Sequence, residues 1–168
     1  MLGSGVPRSL VQSVALNGKV WITEHDGGTH LGHVGDVKFP DLPRDEAESI
    51  ARMRRNFMYG LTDNAGQWWY DFGPKNMSGT WNSPAMLAEA KRLLALANAG
   101  LERPYEKPSD VLVVYDMDAF NLMRPAKADR LTSKITEAMT DSLLGTGAAF
   151  DRIFLMDLER IDLSRYKL

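Results

Sequence analysis

The chain has 168 residues, of which 44% are hydrophobic and 25% charged, a globular composition with enough length for one core or two small ones. A formal net charge of -2 with no basic stripe lacks the electrostatic footprint of a phosphate-neutralising protein, so no nucleic-acid partner is expected. Without cysteine there are no disulfides or thiolate metal sites, and no run approaches the ~20 apolar residues of a membrane span, so a soluble chain with no membrane partner is expected, its compartment unspecified.

MLGSGVPRSL, at the start, carries no apolar run of signal-peptide type. Val20 to Glu24 (VWITE) is short, β-branched and aromatic, and is soon followed by Gly27 and Gly28, which predicts a buried strand opening into a loop. That loop extends to Pro43, and structureless loops longer than about 12–15 residues are usually functional or disordered. From Arg44 to Leu61, the spacing of Ile50, Met53, Phe57 and Leu61 predicts one apolar helix face, with acidic residues in the first turn. Arg52, Arg54 and Arg55, mixed with Asp45, Glu46 and Glu48, read as a solvated face of that helix.

Gln67 to Phe72 (QWWYDF) reads as a second aromatic strand, followed by a glycine-containing loop through Trp81. Ser83 before Pro84 is a helix start, because the hydroxyl can cap a free amide and proline is pre-set for the first helical position. Leu87, Leu94 and Ala97 are expected to face inward, with Gly100 ending the helix. GLERPYEKPSD, residues 100–110, then reads as a linker between domains spanning 1–105 and 106–168. Beyond it come a strand at Val111 to Tyr115, a helix at Lys127 to Leu144 with Leu131, Ile135, Ala138 and Ser142 on one face, and a strand at Ile153 to Met156. The alternation of strands and helices places the chain in the α/β class with parallel sheets, whose chemistry gathers where strands end and loops begin.

Glu24 ends the first strand and is the candidate catalytic residue. A retaining glycosidase needs two carboxyl groups about 5–5.5 Å apart, one to attack the anomeric carbon and one to protonate the leaving oxygen. The competing role for Glu24 is to accept backbone amides of the following loop. Asp26, His25, His30 and His33 could supply imidazole and carboxylate to a metal, but their spacing fits no standard site, so recognition of substrate hydroxyls ranks ahead and no metal is expected. Trp68, Trp69 and Tyr70 precede Asp71, with Trp81 a loop away. Indole faces suit the apolar face of a sugar ring, yet adjacent strand residues point to opposite faces, so Trp68 and Trp69 cannot both meet a ligand. Asp116, Asp118, Asp157 and Glu159 follow the last two strands. With no glycine-rich phosphate loop between them they read as solvated loop caps.

Four runs together, NGKVWITEHDGGTHL, MRRNFMYGLTDNAGQWWYDFG, TWNSPAMLAEAKRL, and VLVVYD with FDRIFLMDLERIDLSRYKL, resemble the middle of β-galactosidase-like glycoside hydrolases related to family 42. The resemblance covers nearly the whole chain. It implies that Glu24 is the nucleophile at the end of the seventh strand of a TIM-type barrel, and that Asp26, His30, Trp68, Trp69 and Asp71 are sugar-contact candidates. It also implies that VLVVYD opens a flavodoxin-like domain that mediates trimer formation. About six barrel strands, including the one bearing the acid/base glutamate, would precede Met1, and further strands would follow Leu168. One departure is Gly28, which stands where the family pattern D-x-R-T-H carries arginine. The expected function is that of a fragment of a retaining hydrolase of O-glycosidic bonds, inactive alone and without cofactor. Its expected partners are a carbohydrate substrate and either itself or the missing parts of the parent enzyme. The alternative is a non-catalytic carbohydrate-binding or oligomerisation module.

Overall fold

The computed structural model describes residues 9–25, 27–32, 42–71, 79–122 and 138–168. It is of mixed α/β class, and its strands lie in two separate two-stranded parallel sheets. The chain divides into two compact units. Ile22–Tyr105 belongs to the first, and Ser9–Trp21 joins Glu106–Leu168 in the second.

In the first unit, β1 (Ile22–His25) and β2 (Gly66–Trp69) pair in parallel, with α2 (Glu46–Thr62) between them in sequence and α3 (Pro84–Leu101) following. Helix α2 starts where the Asp45 carboxylate accepts the Glu48 amide at 2.8 Å, and Glu46 and Glu48 lie at the positive end of the helix dipole. Ser83 caps α3 by accepting the Met86 amide at 3.3 Å, with Pro84 in the first turn. Met53 and Phe57 of α2 meet Leu93 of α3, and Leu61, Trp69, Trp81, Ala90 and Ala97 close around them.

Two expectations for these helices are corrected. Leu87 and Leu94 do not face inward, being 50% and 61% exposed. The inner face of α3 runs through Met86, Glu89 and Leu93, about 100° round the helix. This helix is apolar on several sides, so periodicity alone does not choose among its stripes. The arginines of α2 are not simply solvated. Arg54 reaches across to Glu89 with Nε and Nη2 both at 2.9 Å, while Arg52 pairs with Glu48 at 2.9 Å. Arg54, followed by Arg92, holds the Glu89 carboxyl down at about 2.

In the second unit, β3 (Val111–Tyr115) pairs in parallel with β4 (Phe150–Phe154). A short helix α4 (Met117–Asn121) and a longer α5 (Ala138–Thr146) lie between them in sequence. The core joins Val113, Tyr115, Phe150 and Leu10, with Val111, Met139, Leu143, Leu144 and Phe154 packed against them. Helix α1 (Val11–Leu16) lies on the outer edge of β4. Gln12 Oε1 accepts the Arg152 amide at 3.2 Å and Ser13 Oγ accepts the Phe154 amide at 2.8 Å. Side chains thus satisfy backbone groups that a further strand would otherwise use.

The last strand starts and stops earlier than its apolar run suggests, because residues 155–160 coil into a 3₁₀ turn and the charged Asp151 and Arg152 are buried within the strand. Of the predicted helix at 127–144, the described part carries Met139, Leu143 and Leu144 to the core. Ala138 and Ser142 are exposed, and Leu131 and Ile135 lie outside the described residues.

Candidate functional site

The parallel pair β1–β2 has a helix-side face and an open face, set by the two-residue alternation of strands. Thr23 and His25 are buried on the helix side, whereas Ile22 is exposed and Glu24 half-buried on the other. Register places Glu24 beside Trp68. Trp68 is 44% exposed and meets Tyr70 edge-on, with ring centroids 5.3 Å apart. Glu24, Trp68 and Tyr70 therefore form one side of the sheet's C-terminal end: a carboxylate next to a pair of exposed aromatic rings. The Glu24 carboxylate has no hydrogen bond or ion pair among the described residues, so nothing described there supports its role as an acceptor for loop amides.

Trp69 lies on the opposite face, its ring 5.6 Å from His25, 6.5 Å from Phe57 and 6.3 Å from Trp81. It packs sheet to helices, which leaves Trp68 as the tryptophan beside Glu24. His25 bonds through Nε2 to Gln67 Oε1 at 2.9 Å, and Gln67 Nε2 donates to the Phe57 carbonyl at 2.9 Å. The amide orientation therefore makes Nε2 of His25 a donor. Gly60 leaves room for this bridge, since a Cβ there would sit 2.2 Å from Gln67 Cδ.

His30 turns towards α2. Ser49 Oγ gives its proton to the Asp45 carbonyl and accepts from the His30 amide at 3.0 Å and from Nδ1 at 2.9 Å. Asp71 closes the loop that follows β2. Its Oδ1 accepts from the Thr80 amide and hydroxyl, both at 3.0 Å, and the Thr29 hydroxyl donates to the Thr80 carbonyl, tying the loops after both strands together. His25, His30 and Asp71 thus have separate structural partners, and Asp26 and His33 lie outside the described residues. No group of three potential metal ligands occurs among the described residues. No described helix is long and apolar enough to cross a membrane.

No family model, curated protein or solved structure matches this chain. The remaining candidates are therefore placed by geometry alone. Asp116 is exposed and caps α4 through the amides of Asp118 and Ala119 at 3.1 and 3.2 Å. Glu159 is exposed. Asp157 corrects the expectation of a solvated cap: it is 4% exposed and accepts from Asn17 at 3.2 Å and Arg160 at 3.2 Å. Hydrogen bonding from Ser13, with Asn17 and Arg160, lowers its pKa, so the charged form anchors α1.

Sequence pattern did not show Tyr70 as the ring that braces Trp68, nor the Thr29–Thr80 clasp. The i, i+2 spacing of Trp68 and Tyr70 was the available signal for the first. Nothing in local sequence signals the second.

Proposed function

We propose that this chain carries the seventh and eighth strand–helix pairs of a retaining, β-galactosidase-like glycoside hydrolase barrel, with Glu24 as nucleophile. The second unit, in this reading, is the opening βαβ of a flavodoxin-like trimerisation domain. The observation that carries the proposal is Glu24: a half-buried carboxylate without a described partner, at the C-terminal end of a parallel strand and in register with exposed Trp68. In a (β/α)8 enzyme that end of the strands is where catalytic residues sit, and the face away from the helices is the barrel interior. The order β1, α2, β2, α3 with parallel pairing is compatible with this placement.

The mechanism is double displacement. A Glu24 oxygen attacks the anomeric carbon as the glycosidic bond breaks, the leaving oxygen takes a proton from a second carboxylic acid, and water then cleaves the glycosyl ester. Trp68 supplies an apolar platform for the ring. Asp71 and His30 support the loops, since Asp71 Oδ1 is engaged by Thr80 and His30 Nδ1 by Ser49.

The test exploits leaving-group chemistry. A dinitrophenyl galactoside fluorinated beside the anomeric carbon departs without protonation and traps the ester, so it needs the nucleophile but not the acid. The chain should gain one fluorogalactosyl group on Glu24 by mass spectrometry, Glu24→Gln should gain none, and ordinary aryl galactosides should not turn over. Absence of labelling, or labelling at another residue, overturns the assignment. The exposed Trp68–Tyr70 pair favours, as second reading, a non-catalytic sugar platform, which would show Trp68-dependent galactoside binding with no covalent label.

A further inference from the structure

On the open face of the β1–β2 sheet, Ile22 and Glu24 of β1 lie beside Gly66 and Trp68 of β2 and Tyr70, one residue past its end. Glu24 carries the only formal charge among these residues. Trp68 and Tyr70 stand at 68° with ring centroids 5.3 Å apart, both open to solvent, so two ring faces meet in a corner. The corner is held from behind. The Tyr70 amide donates to the His25 carbonyl at 3.0 Å and Trp81 Nε1 donates to the Tyr70 carbonyl at 3.1 Å, which fixes the Tyr70 backbone on both sides.

Aromatic faces carry the negative part of the ring quadrupole, and a cation within about 6 Å of a centroid is drawn to it. Centroids 5.3 Å apart let one cation meet that limit for both rings at once. Register sets Glu24 beside Trp68 on the adjoining strand, about 4.8 Å away at the backbone. Its carboxylate has no hydrogen bond or ion pair among the described residues. Two π faces and one carboxylate are three sources of negative potential around one small space. A primary ammonium is strongly hydrated and brings three donors to satisfy, where the corner offers one carboxylate. A quaternary ammonium has no N–H to satisfy, spreads its charge over its methyl groups and presents an apolar surface to the rings and to exposed Ile22.

We infer that the corner formed by Glu24, Trp68 and Tyr70 binds a small organic cation with a methylated quaternary ammonium head, of the choline type. The head lies against both rings and Glu24 supplies the counter-charge. An anionic group bonded close to the head would meet Glu24, so choline binds more tightly than phosphocholine. The inference goes beyond the glycosidase reading, because it needs Glu24 as a charge and not as a nucleophile.

The experiment titrates the full chain by proton NMR with choline, with phosphocholine and with dimethylbutanol, the uncharged carbon isostere of choline. The ligand methyl signal and the Trp68 indole N–H are followed. The expected result is a saturable choline titration in which the methyl signal moves upfield, as it does over an aromatic face, and the Trp68 signal shifts. Choline should bind about five-fold or more tightly than dimethylbutanol, since each exposed ring contributes about two- to five-fold. Trp68→Leu and Tyr70→Leu should each weaken choline by about two- to five-fold, and Glu24→Gln should remove the preference over phosphocholine. The isostere comparison is made on the native chain and depends on no variant. Any of four results overturns the inference: no saturable choline shift, the isostere bound as tightly as choline, phosphocholine bound as tightly, or choline binding unchanged in Trp68→Leu. The fluorogalactoside label keeps the two readings apart. Labelled Glu24 without choline binding removes this inference alone, and choline binding without a label removes the glycosidase reading alone.

Discussion

Glu89 offers a sharp test of how the first unit is held together, because it puts a charge where the apolar pattern of α3 calls for leucine. Its carboxylate is 7% exposed and accepts from Arg54 Nε and Nη2 at 2.9 Å and from Arg92 Nε at 3.0 Å. Replacing it by glutamine keeps one carbonyl acceptor and the shape but removes the charge. Orphaning a buried ionic partner costs about 3–5 kcal/mol. Here the orphaned groups are Arg54 and Arg92, 54% and 56% exposed, which water can rehydrate. The loss is therefore that of charge-assisted hydrogen bonds, about 1.5–3 kcal/mol.

Leu94→Gln, on a face that is mostly solvent-exposed, should stay within about 0.5 kcal/mol of the native chain. Urea unfolding suits the comparison, since it does not screen charges. Fluorescence reports chiefly on the first unit, which holds Trp68, Trp69 and Trp81. The pH dependence adds a second check. The Glu89 carboxyl lies at about 2 rather than its ordinary 4.5, so its stabilisation is complete above that ordinary value and is lost as pH falls towards 2. The gap between native chain and Glu89→Gln should hold steady from about pH 5 to about pH 8 and narrow below about pH 4.5. A Glu89→Gln protein as stable as the native chain, with Leu94→Gln the more damaging change, would refute this account and place the leucine face inward.

Two further outcomes follow from the geometry. Gly79→Ala forces a side chain onto φ +73° and sets its Cβ 2.8 Å from Asp71 Oδ2, whereas Gly147→Ala, at the same φ, meets nothing within 4 Å. Thermal unfolding should show the first costing about 1–3 kcal/mol and the second only the backbone penalty of about 1 kcal/mol. Asp151→Asn weakens the tie to Tyr166, Lys107 and Arg165. The Leu112 amide, bonded to Leu168, should then exchange faster, and the Tyr166 phenol, held up at about 12 first by burial and then by its bond to Asp151, should titrate lower in ultraviolet absorbance while staying above 10.

Much of the architecture is written in local sequence. The Asp45 and Ser83 caps, the Met53–Phe57 face and the β-branched run Val111–Tyr115 act over one or two turns, so residue type and spacing suffice to place α2, α3 and β3. Glu24 at a strand end, with one tryptophan on its face and the other against the helices, also follows from the strand period of two. Tertiary structure decided the rest, because those outcomes depend on partners far away in the chain. Nothing local distinguishes Glu89 from a solvated glutamate until Arg54, 35 residues earlier, packs beside it. Nothing local says that Ser13 and Gln12 will cover β4, 140 or more residues later, that Asp151 will be buried beneath Tyr166, or that Leu168 will enter the ladder of β3. Hydrogen-bond satisfaction of a buried charge or a sheet edge is a property of two segments at once, and a single stretch of sequence carries only half of it.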